Sequence, residues 1–203
     1  MSVSAKYNKI LDALQTLLEN KQIQNISVSE IAQTAGMGKG SIYYYFPSKD
    51  AILEALIKRN HEKPLDTAKR LAKQSEISPF TRMAMIFQTC RNSSAEFLLQ
   101  DANASLGNAQ ERALLYQKHL NYLISKLKPE LTIIIQQGIE NGDIHFDYPA
   151  ALAEIVLLVL SIKLDNMLLP STSKEIEEVI LGLISLLEKG TGNPSGSLNF
   201  LML

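Results

Sequence analysis

The side chains best suited to chemistry lie between Ser27 and Asp50, in the sequence SVSEIAQTAGMGKGSIYYYFPSKD. It contains two helical patterns separated by a glycine. In the second pattern, Ile42 and Phe46 lie four residues apart and predict the buried face. The remaining surface of that short helix carries small, basic and phenolic residues, namely Lys39, Gly40, Ser41, Tyr43, Tyr44 and Tyr45. Such a helix fits the major groove of DNA and the phosphates beside it.

Local signals predict how the two helices begin and end. Ser27 followed by Glu30 matches a capping box, in which hydroxyl and carboxylate each accept a free backbone N–H. Gly36 can take the left-handed conformation that ends a helix and turns the chain. Pro47 stops the second helix, which runs from about Lys39. Together these signals predict a helix-turn-helix.

A nucleotide-binding loop is the alternative interpretation of this glycine-rich segment. It fails because Gly40 separates Lys39 from the hydroxyl of Ser41, and no strand pattern precedes the glycines. The tyrosine triplet also has an alternative interpretation as a packed cluster. We therefore expect one of the three tyrosines to serve mainly packing.

Residues 26 to 53 resemble the N-terminal domain of TetR-type transcriptional repressors. The IAQTAG helix, the KGSIYYYF helix and the SKDAIL start of the next helix carry this resemblance. It implies that Lys49 contacts a DNA phosphate. It also implies that the residues at or near DNA are Ser29, Lys39, Gly40, Ser41, Tyr43, Tyr44 and Tyr45. Gly38 stands where many members carry a capping serine, so only its backbone N–H is expected to meet an anion.

Charge is distributed unevenly along the 203 residues. The net charge of −1 argues against a protein that coats nucleic acid indiscriminately. Residues 1 to 63 hold 8 Lys or Arg and 6 Asp or Glu, a net of +2, and the other 12 basic and 15 acidic residues give −3. This asymmetry places the DNA-compatible face near the N-terminus. The single cysteine, Cys90, excludes an internal disulfide and a cysteine-based zinc cluster.

The sequence predicts a cytoplasmic protein without membrane contact. The N-terminal residues enter an amphipathic pattern directly and contain no signal-peptide core. The longest apolar stretch, residues 150 to 169, contains Glu154, Lys163 and Asp165 and is too charged for a membrane span.

The remaining sequence predicts helix after helix, without a convincing strand pattern. We expect an all-α fold of about nine helices: a three-helix helix-turn-helix domain over 1–47, a helical effector-binding and dimerisation domain over 48–189, and a flexible tail over 190–203. Pro64 is expected to interrupt or kink the fourth helix. Further helices are predicted at about 79–101, 108–126, 129–141, 149–169 and 172–189. The last opens at a second capping box of Thr172 and Glu175.

The two C-terminal helices predict a homodimer. One protomer core cannot easily cover the apolar sides of both, so a four-helix interface with a second copy is expected. The alternative is a monomer with a well-covered core. The family resemblance implies the same two-helix surface. The predicted interface residues are Leu152, Ile155, Val159, Ile162, Ile176, Ile180, Leu183 and Leu187.

The middle helices carry soft apolar and phenolic side chains suited to an adaptable cavity. These are Met83, Phe87, Cys90, Phe97, Tyr116, His119 and Tyr122. Each could equally be an ordinary core residue. The resemblance implies a pocket for a small-molecule effector, whose identity the sequence does not reveal. No cofactor or metal is expected.

The predicted function is that of a sequence-specific DNA-binding regulator, a repressor released from a palindromic operator by a small molecule. An effector-independent architectural or division-related DNA-binding protein on the same fold is the alternative. An enzyme is not expected, because His61, His119 and His145 lie far apart without HxxxH or HExxH spacing.

Overall fold

The computed structural model describes the backbone of residues 3–102, 109–165 and 171–202, and the side chains of residues 4–90, 117–163 and 171–202. Within these ranges the chain is all-α, as predicted, with eight helices and two short 3₁₀ turns. The α-helices are α1 (Val3–Leu18), α2 (Val28–Thr34), α3 (Lys39–Tyr45), α4 (Lys49–Ala72), α5 (Pro79–Ala102), α6 (Ala109–Glu140), α7 (Pro149–Asp165) and α8 (Ser173–Gly190). The 3₁₀ turns are Ile23–Asn25 and Asn199–Met202.

The chain divides into two compact units. Unit 1 comprises Met1–His61 and Ala95–His119, and unit 2 comprises Glu62–Ser94 and Leu120–Leu203. Helices α4, α5 and α6 each contribute residues to both units. The boundary predicted at residues 47/48 therefore precedes the division in the structure by more than three turns of α4.

Two prolines lie inside helices at points where the sequence analysis expected an interruption or kink (Pro64) or a break between two helices (Pro129). Pro64 lies within α4, and Pro129 lies within α6, which joins the helices predicted at 108–126 and 129–141. A proline removes one N–H donor and crowds the preceding turn, but tertiary packing can offset this cost. Leu123, Leu127 and Leu131 are all buried at spacings of four residues across Pro129. The apolar stripe thus continues through the proline.

Unit 1 is built around the apolar faces of α1, α2 and α3. Ile10, Leu14, Ile31 and Ile42 are each fully buried there. The helices are further joined to α4, where the Arg59 guanidinium donates to Asp12 Oδ1 and to Gln15 Oε1, both at 2.6 Å. This packing holds the buried side of α3 against the other helices of unit 1.

Unit 2 encloses a separate apolar core from α4, α5, α6, α7 and α8. Arg82, near the start of α5, is a charged residue fully buried within this unit. Its guanidinium donates to Gln137 Oε1 and to the Leu71 carbonyl, and Gln137 Nε2 donates to the Ala72 carbonyl at 3.2 Å. Burial lowers the pKa of Arg82, and the charge of Asp143 opposes this shift. The sequence analysis did not single out this network.

The C-terminal segment, defined as residues 191–202, is packed onto unit 2 rather than free. Leu198 and Leu201 are buried, and the chain ends in the 3₁₀ turn Asn199–Met202. The Glu188 carboxylate Oε1 accepts the Gly196 N–H at 2.8 Å and the Leu198 N–H at 3.1 Å. These contacts replace the predicted flexible tail over 190–203.

Two predicted helix boundaries in unit 2 are confirmed. Thr172 and Glu175 form the capping box that opens α8. The Asn141-Gly142 turn closes α6, with Gly142 at φ +79°. In the part of the chain that the structure describes, no helix combines the length and the apolar character needed to cross a membrane.

Candidate DNA-binding face and effector cavity

The turn between α2 and α3 has the geometry that the sequence predicts. Ser27 Oγ accepts the Glu30 N–H at 3.1 Å, and Glu30 Oε2 accepts the Ser27 N–H at 2.7 Å. Glu30 also accepts Lys21 Nζ at 2.7 Å, and this hydrogen bond, followed by those from Ser27, lowers the pKa of Glu30 to about 2. Gly36 takes a left-handed φ of +58°. The capping box and the glycine turn are both confirmed.

Helix α3 begins without a side-chain cap. Gly38 occupies the N-cap position, as expected where a capping serine is absent. Space around Gly38 and Gly40 is open, since a Cβ added at either would meet nothing within 4 Å. The backbone at the start of α3 is therefore accessible to a bulky partner.

One face of α3 is exposed and the opposite face is anchored. Tyr44 is 79% exposed and Tyr43 is 49% exposed. Such high exposure is unusual for a tyrosine side chain, which is commonly at least partly buried. Lys39, Gly40 and Ser41 are also exposed, as is Ser29 on α2. On the opposite face, Ile42 and Phe46 are buried. The phenolic and basic side chains thus project from a fixed base.

Tyr45 is the tyrosine with a packing role. It is half-buried, and its ring meets that of Tyr44 edge to face, with centroids 5.0 Å apart. An edge-to-face pair restricts both rings. We therefore expect Tyr45 to orient Tyr44 as well as to border the exposed face.

Lys49 has a different position from the one that the family resemblance implies. Its Nζ donates to the carbonyls of Ile23 at 2.6 Å, Ile26 at 2.9 Å and Gln24 at 3.3 Å. An ammonium has three N–H donors, and they are engaged by two carbonyls of the 3₁₀ turn and by that of Ile26 directly after it. Lys49 therefore holds the segment that leads into α2, and its assignment to a DNA phosphate is not supported by this geometry.

The residues predicted to line one effector pocket are divided between the two units. Met83 and Phe87 line a cavity in unit 2. Cys90 and Tyr122 pack against the unit 2 core without lining that cavity, and burial raises the pKa of the Cys90 thiol to about 12, so the thiol stays neutral. The side chains of Phe97 and Tyr116 lie outside the described residues.

His119 belongs to unit 1, where it forms the buried histidine pair with His61. His61 Nε2 and His119 Nδ1 are 3.0 Å apart, and both side chains are buried. Burial lowers the pKa of His61 to about 3, with a further contribution from His119. Burial likewise lowers the pKa of His119 to about 4. Both rings are therefore neutral at pH 7 and suit packing better than anion binding.

The cavity in unit 2 has an apolar lining and a volume of about 40 Å³. Helices α5, α6, α7 and α8 and the C-terminal segment supply its walls. The lining residues are Phe80, Met83, Phe87, Leu131, Ile135, Ile144, Leu152, Ala153, Val156, Leu187, Thr191, Asn193, Leu198, Phe200 and Leu201. Of these lining residues, the sequence analysis predicted Met83 and Phe87 as pocket residues, and the apolar LNFLML ending was an available signal for Leu198, Phe200 and Leu201.

The residues predicted for the dimer interface do not all face outward. Leu152, Ile180 and Leu183 are buried inside the protomer, and Leu187 lines the cavity. Ile176 packs against the unit 2 core. These five side chains are committed to the protomer core because the buried stripes of α7 and α8 run through them.

Interface candidates remain among the less buried apolar residues of α7 and α8. Ile155 is 47% exposed, Ile162 is half-buried, and Val159 is half-buried and packs against the unit 2 core. The exposed apolar residues that the sequence analysis left out of its set are Leu158, Val179, Leu181 and Leu186. Leu181 follows Val179 by two residues and so lies on a different side of α8. The other three, with Ile155, Val159 and Ile162, are called the outer α7/α8 face below.

An exposed second helix is the feature with which helix-turn-helix proteins bind DNA. This chain has such a helix-turn-helix, followed by a second unit that is all-helical in its described residues. Residues 10–56 match the family of bacterial regulatory proteins described as the tetR family. The N-terminal part of the chain is thus similar to the DNA-binding domain of TetR-type transcriptional regulators.

Similarity to individual curated proteins covers only a short part of the chain. The chain is 48% identical over 48 residues to the HTH-type transcriptional regulator EthR of Mycolicibacterium smegmatis, covering 24% of this chain and 22% of that protein. It is 37% identical over 59 residues to the nucleoid occlusion factor SlmA of Haemophilus ducreyi, covering 29% of each. The match therefore spans less than a third of the length of either relative.

The fold of the whole chain is similar to that of a solved regulator. SmeT, the repressor of the Stenotrophomonas maltophilia multidrug efflux pump SmeDEF, superposes with a TM-score of 0.64 at 16% identity, covering 94% of this chain and 92% of SmeT. This likeness concerns the fold alone. By their names, the three proteins are a transcriptional regulator, a nucleoid occlusion factor and the repressor of an efflux pump.

Proposed function

We propose that this protein is a sequence-specific transcriptional regulator that binds a near-palindromic operator as a homodimer and is released from it by a small apolar molecule. The exposed face of α3 is the observation that carries this proposal. Tyr43 and Tyr44 project from a helix whose other side is fully buried, beside Lys39 and Ser41. Phenolic hydroxyls and an ammonium can donate to base edges and to phosphates in a major groove.

The outer α7/α8 face supports dimerisation. It presents Ile155 and Leu158 on α7, and Val179 and Leu186 on α8, with Leu186 73% exposed. Apolar side chains that cluster in this way are typical of an interface. A two-fold dimer would place one α3 in each of two half-sites, about 34–36 Å apart along the DNA.

Gly182 is a further reason to expect a partner helix. It lies between Val179 and Leu186 at spacings of three and four residues, in the middle of α8. An exposed glycine inside a helix costs about 0.5–1 kcal/mol relative to alanine. Open space surrounds its Cα, so a second backbone could approach closely there. Gly182→Ala should stabilise an isolated protomer but weaken a dimer that packs against this position.

The apolar cavity supports release by a ligand. Among the residues whose side chains the structure describes, its lining carries no charged side chain, and the polar members are Thr191 and Asn193. A ligand releases the operator only if it prefers a conformation that binds DNA poorly. Helix α4 contributes to both units and is the element through which such a preference could reach α3. The proposed repressor acts in the cytoplasm, where its operator lies.

An effector-independent DNA-binding protein is the second candidate function. The similarity to a nucleoid occlusion factor over 29% of the chain favours it. Mapping genome occupancy separates the two functions, because a local repressor should occupy one or a few promoters. Occupancy of many dispersed sites would favour the second candidate.

Operator titration tests the proposed function. A DNA site selected from random sequences should bind the wild-type protein far more tightly than unrelated DNA at the same salt concentration. Lys39→Ala and Tyr44→Ala should each weaken binding with little change in melting temperature, because both side chains are exposed. The matched controls are Lys73→Ala and Tyr148→Ala, which alter exposed residues of unit 2. Equal affinity in all four variants would remove α3 as the recognition helix.

A further inference from the structure

The C-terminal segment forms one wall of the cavity in unit 2. Asn193, Leu198, Phe200 and Leu201 contribute lining atoms, and Leu198 and Leu201 are buried by doing so. The ring of Phe200 lies nearly parallel to that of Phe87 on α5, with centroids 6.4 Å apart. The segment therefore fills space between helices that would otherwise be open to a ligand.

The cavity in its present form is too small for a typical effector. Its volume of about 40 Å³ would hold only a few water molecules. Pockets for drug-sized ligands measure roughly 300–1,000 Å³. A larger ligand must therefore displace one wall, and the wall that moves most easily decides what can bind.

The C-terminal segment is the wall with the weakest attachment. The other walls are long helices whose backbone hydrogen bonds are internal, whereas this segment ends in a single 3₁₀ turn. Residues 196–198 are attached through the Glu188 carboxylate, which accepts the N–H groups of Gly196 and Leu198. Residues 191–193 stay close to the end of α8, where the Thr191 hydroxyl donates to the Leu187 carbonyl at 2.6 Å and the Asn193 N–H donates to the Glu188 carbonyl at 2.9 Å. The Thr191 carbonyl also accepts the His145 N–H at 3.0 Å. Water can replace these bonds when the segment leaves.

We propose that the C-terminal segment occupies the binding site of an uncharged, mainly apolar small molecule, which takes the place of Leu198, Phe200 and Leu201 when it binds. This inference rests on the ligand-release part of the proposed function and names the ligand class and the moving element. A charged ligand is disfavoured because none of the described lining residues could pair with its charge. Because segment and ligand compete for one site, the Glu188 contact reduces the apparent affinity for the ligand.

The absence of tryptophan from the chain provides a direct test. In Phe200→Trp, the introduced indole is the sole tryptophan and reports the environment of the segment. Phe146→Trp is the control, because Phe146 is half-buried in unit 2 but does not line the cavity. With decan-1-ol as the probe, the emission of Phe200→Trp should shift to longer wavelength as the indole enters water. The emission of Phe146→Trp should stay unchanged.

Calorimetry of decan-1-ol binding supplies the second readout. The wild-type protein should bind one decan-1-ol per chain, and Glu188→Gln should bind it more tightly by a factor on the order of ten, the effect of weakening hydrogen bonds to a charged acceptor. Glu177→Gln, an exposed change on the same helix, should bind like the wild type. The Phe200→Trp measurement retains Glu188 and so stands even if Glu188→Gln fails to fold.

Three results would overturn the inference: no binding up to the solubility limit of decan-1-ol, binding without an emission change in Phe200→Trp, or equal affinity in folded Glu188→Gln and wild type. None of these assays contains DNA. If decan-1-ol displaces the segment but leaves operator affinity unchanged, the inference stands and ligand release by this site fails. If another compound releases the operator while the segment stays in place, ligand release stands and the inference fails.

Discussion

Replacing Lys49 distinguishes a structural lysine from one that contacts DNA. Lys49→Met keeps most of the apolar stem but removes the ammonium that binds the carbonyls of Ile23, Gln24 and Ile26. Hydrogen bonds to a charged group contribute roughly 1.5–3 kcal/mol each when well formed. The 3.3 Å bond to Gln24 is exposed and contributes little, and the two shorter ones are only partly buried.

The expected loss of stability for Lys49→Met is therefore about 1.5–3 kcal/mol in total. For a chain of this length, such a loss lowers the melting temperature by roughly 3–12 °C. Circular dichroism during heating provides the assay, and Lys58→Met, an exposed change on the same helix, provides the control. Operator affinity measured over a series of salt concentrations, below the melting transition, should give the same slope for Lys49→Met and wild type.

A phosphate contact at Lys49 predicts the opposite pair of results. Loss of one such contact flattens the dependence of log affinity on log salt by about one unit, for every DNA sequence alike. If Lys49→Met has the melting temperature of the wild type and shows this flatter slope, the structural role of Lys49 at the carbonyls of Ile23, Gln24 and Ile26 is refuted.

Three further predictions follow from the same structure. Leu158→Glu should dissociate the dimer in sedimentation velocity experiments, because burying an unpaired carboxylate costs several kcal/mol. Ile133→Glu, an exposed change on α6, should leave the dimer intact. A wild-type monomer at micromolar concentration would contradict the proposed interface. The buried histidine pair should make the free energy of unfolding fall as the pH drops from about 6.5 towards 4, because the unfolded chain binds protons at the ordinary pKa of 6.5 while the folded pKa values are about 3 and about 4. His61→Phe should reduce this pH dependence in urea unfolding measured at several pH values. An unchanged pH dependence in His61→Phe would contradict this prediction. Gln137→Leu removes the side-chain acceptor of the buried Arg82 guanidinium and should lower the free energy of unfolding by about 1–3 kcal/mol. The control Gln136→Leu, an exposed change, should alter it little. Equal unfolding midpoints in the two variants would contradict a stabilising role for the contact between Gln137 and Arg82.

Features that depend on neighbouring residues could be predicted from the sequence. The capping box of Ser27 and Glu30 needs only residues three apart, and Gly36 is identified by the turn it permits. The exposed side of α3 followed from the spacing of Ile42 and Phe46 alone. Such local rules act before tertiary structure forms, so the helix-turn-helix was predictable in detail.

Features that depend on distant partners could not be predicted in the same way. Lys49 binds carbonyls that lie 23 to 26 residues away in the sequence. The continuity of α6 through Pro129 depends on the packing of Leu127 and Leu131 against other helices. The cavity needs Leu198 beside residues of four helices, and helical periodicity does not show which helices meet.

Photo-crosslinking from α3 tests the central claim most directly. A benzophenone-bearing amino acid placed at Tyr44, which is 79% exposed, should crosslink to the selected operator on ultraviolet irradiation, and excess unlabelled operator should compete for this crosslink. The same group placed at Tyr148, which is 68% exposed in unit 2, should give no crosslink to DNA. The account predicts crosslinked bases in both half-sites, about 10 base pairs apart. Absence of a crosslink from Tyr44, with operator bound at full affinity, would contradict the claim that α3 reads DNA.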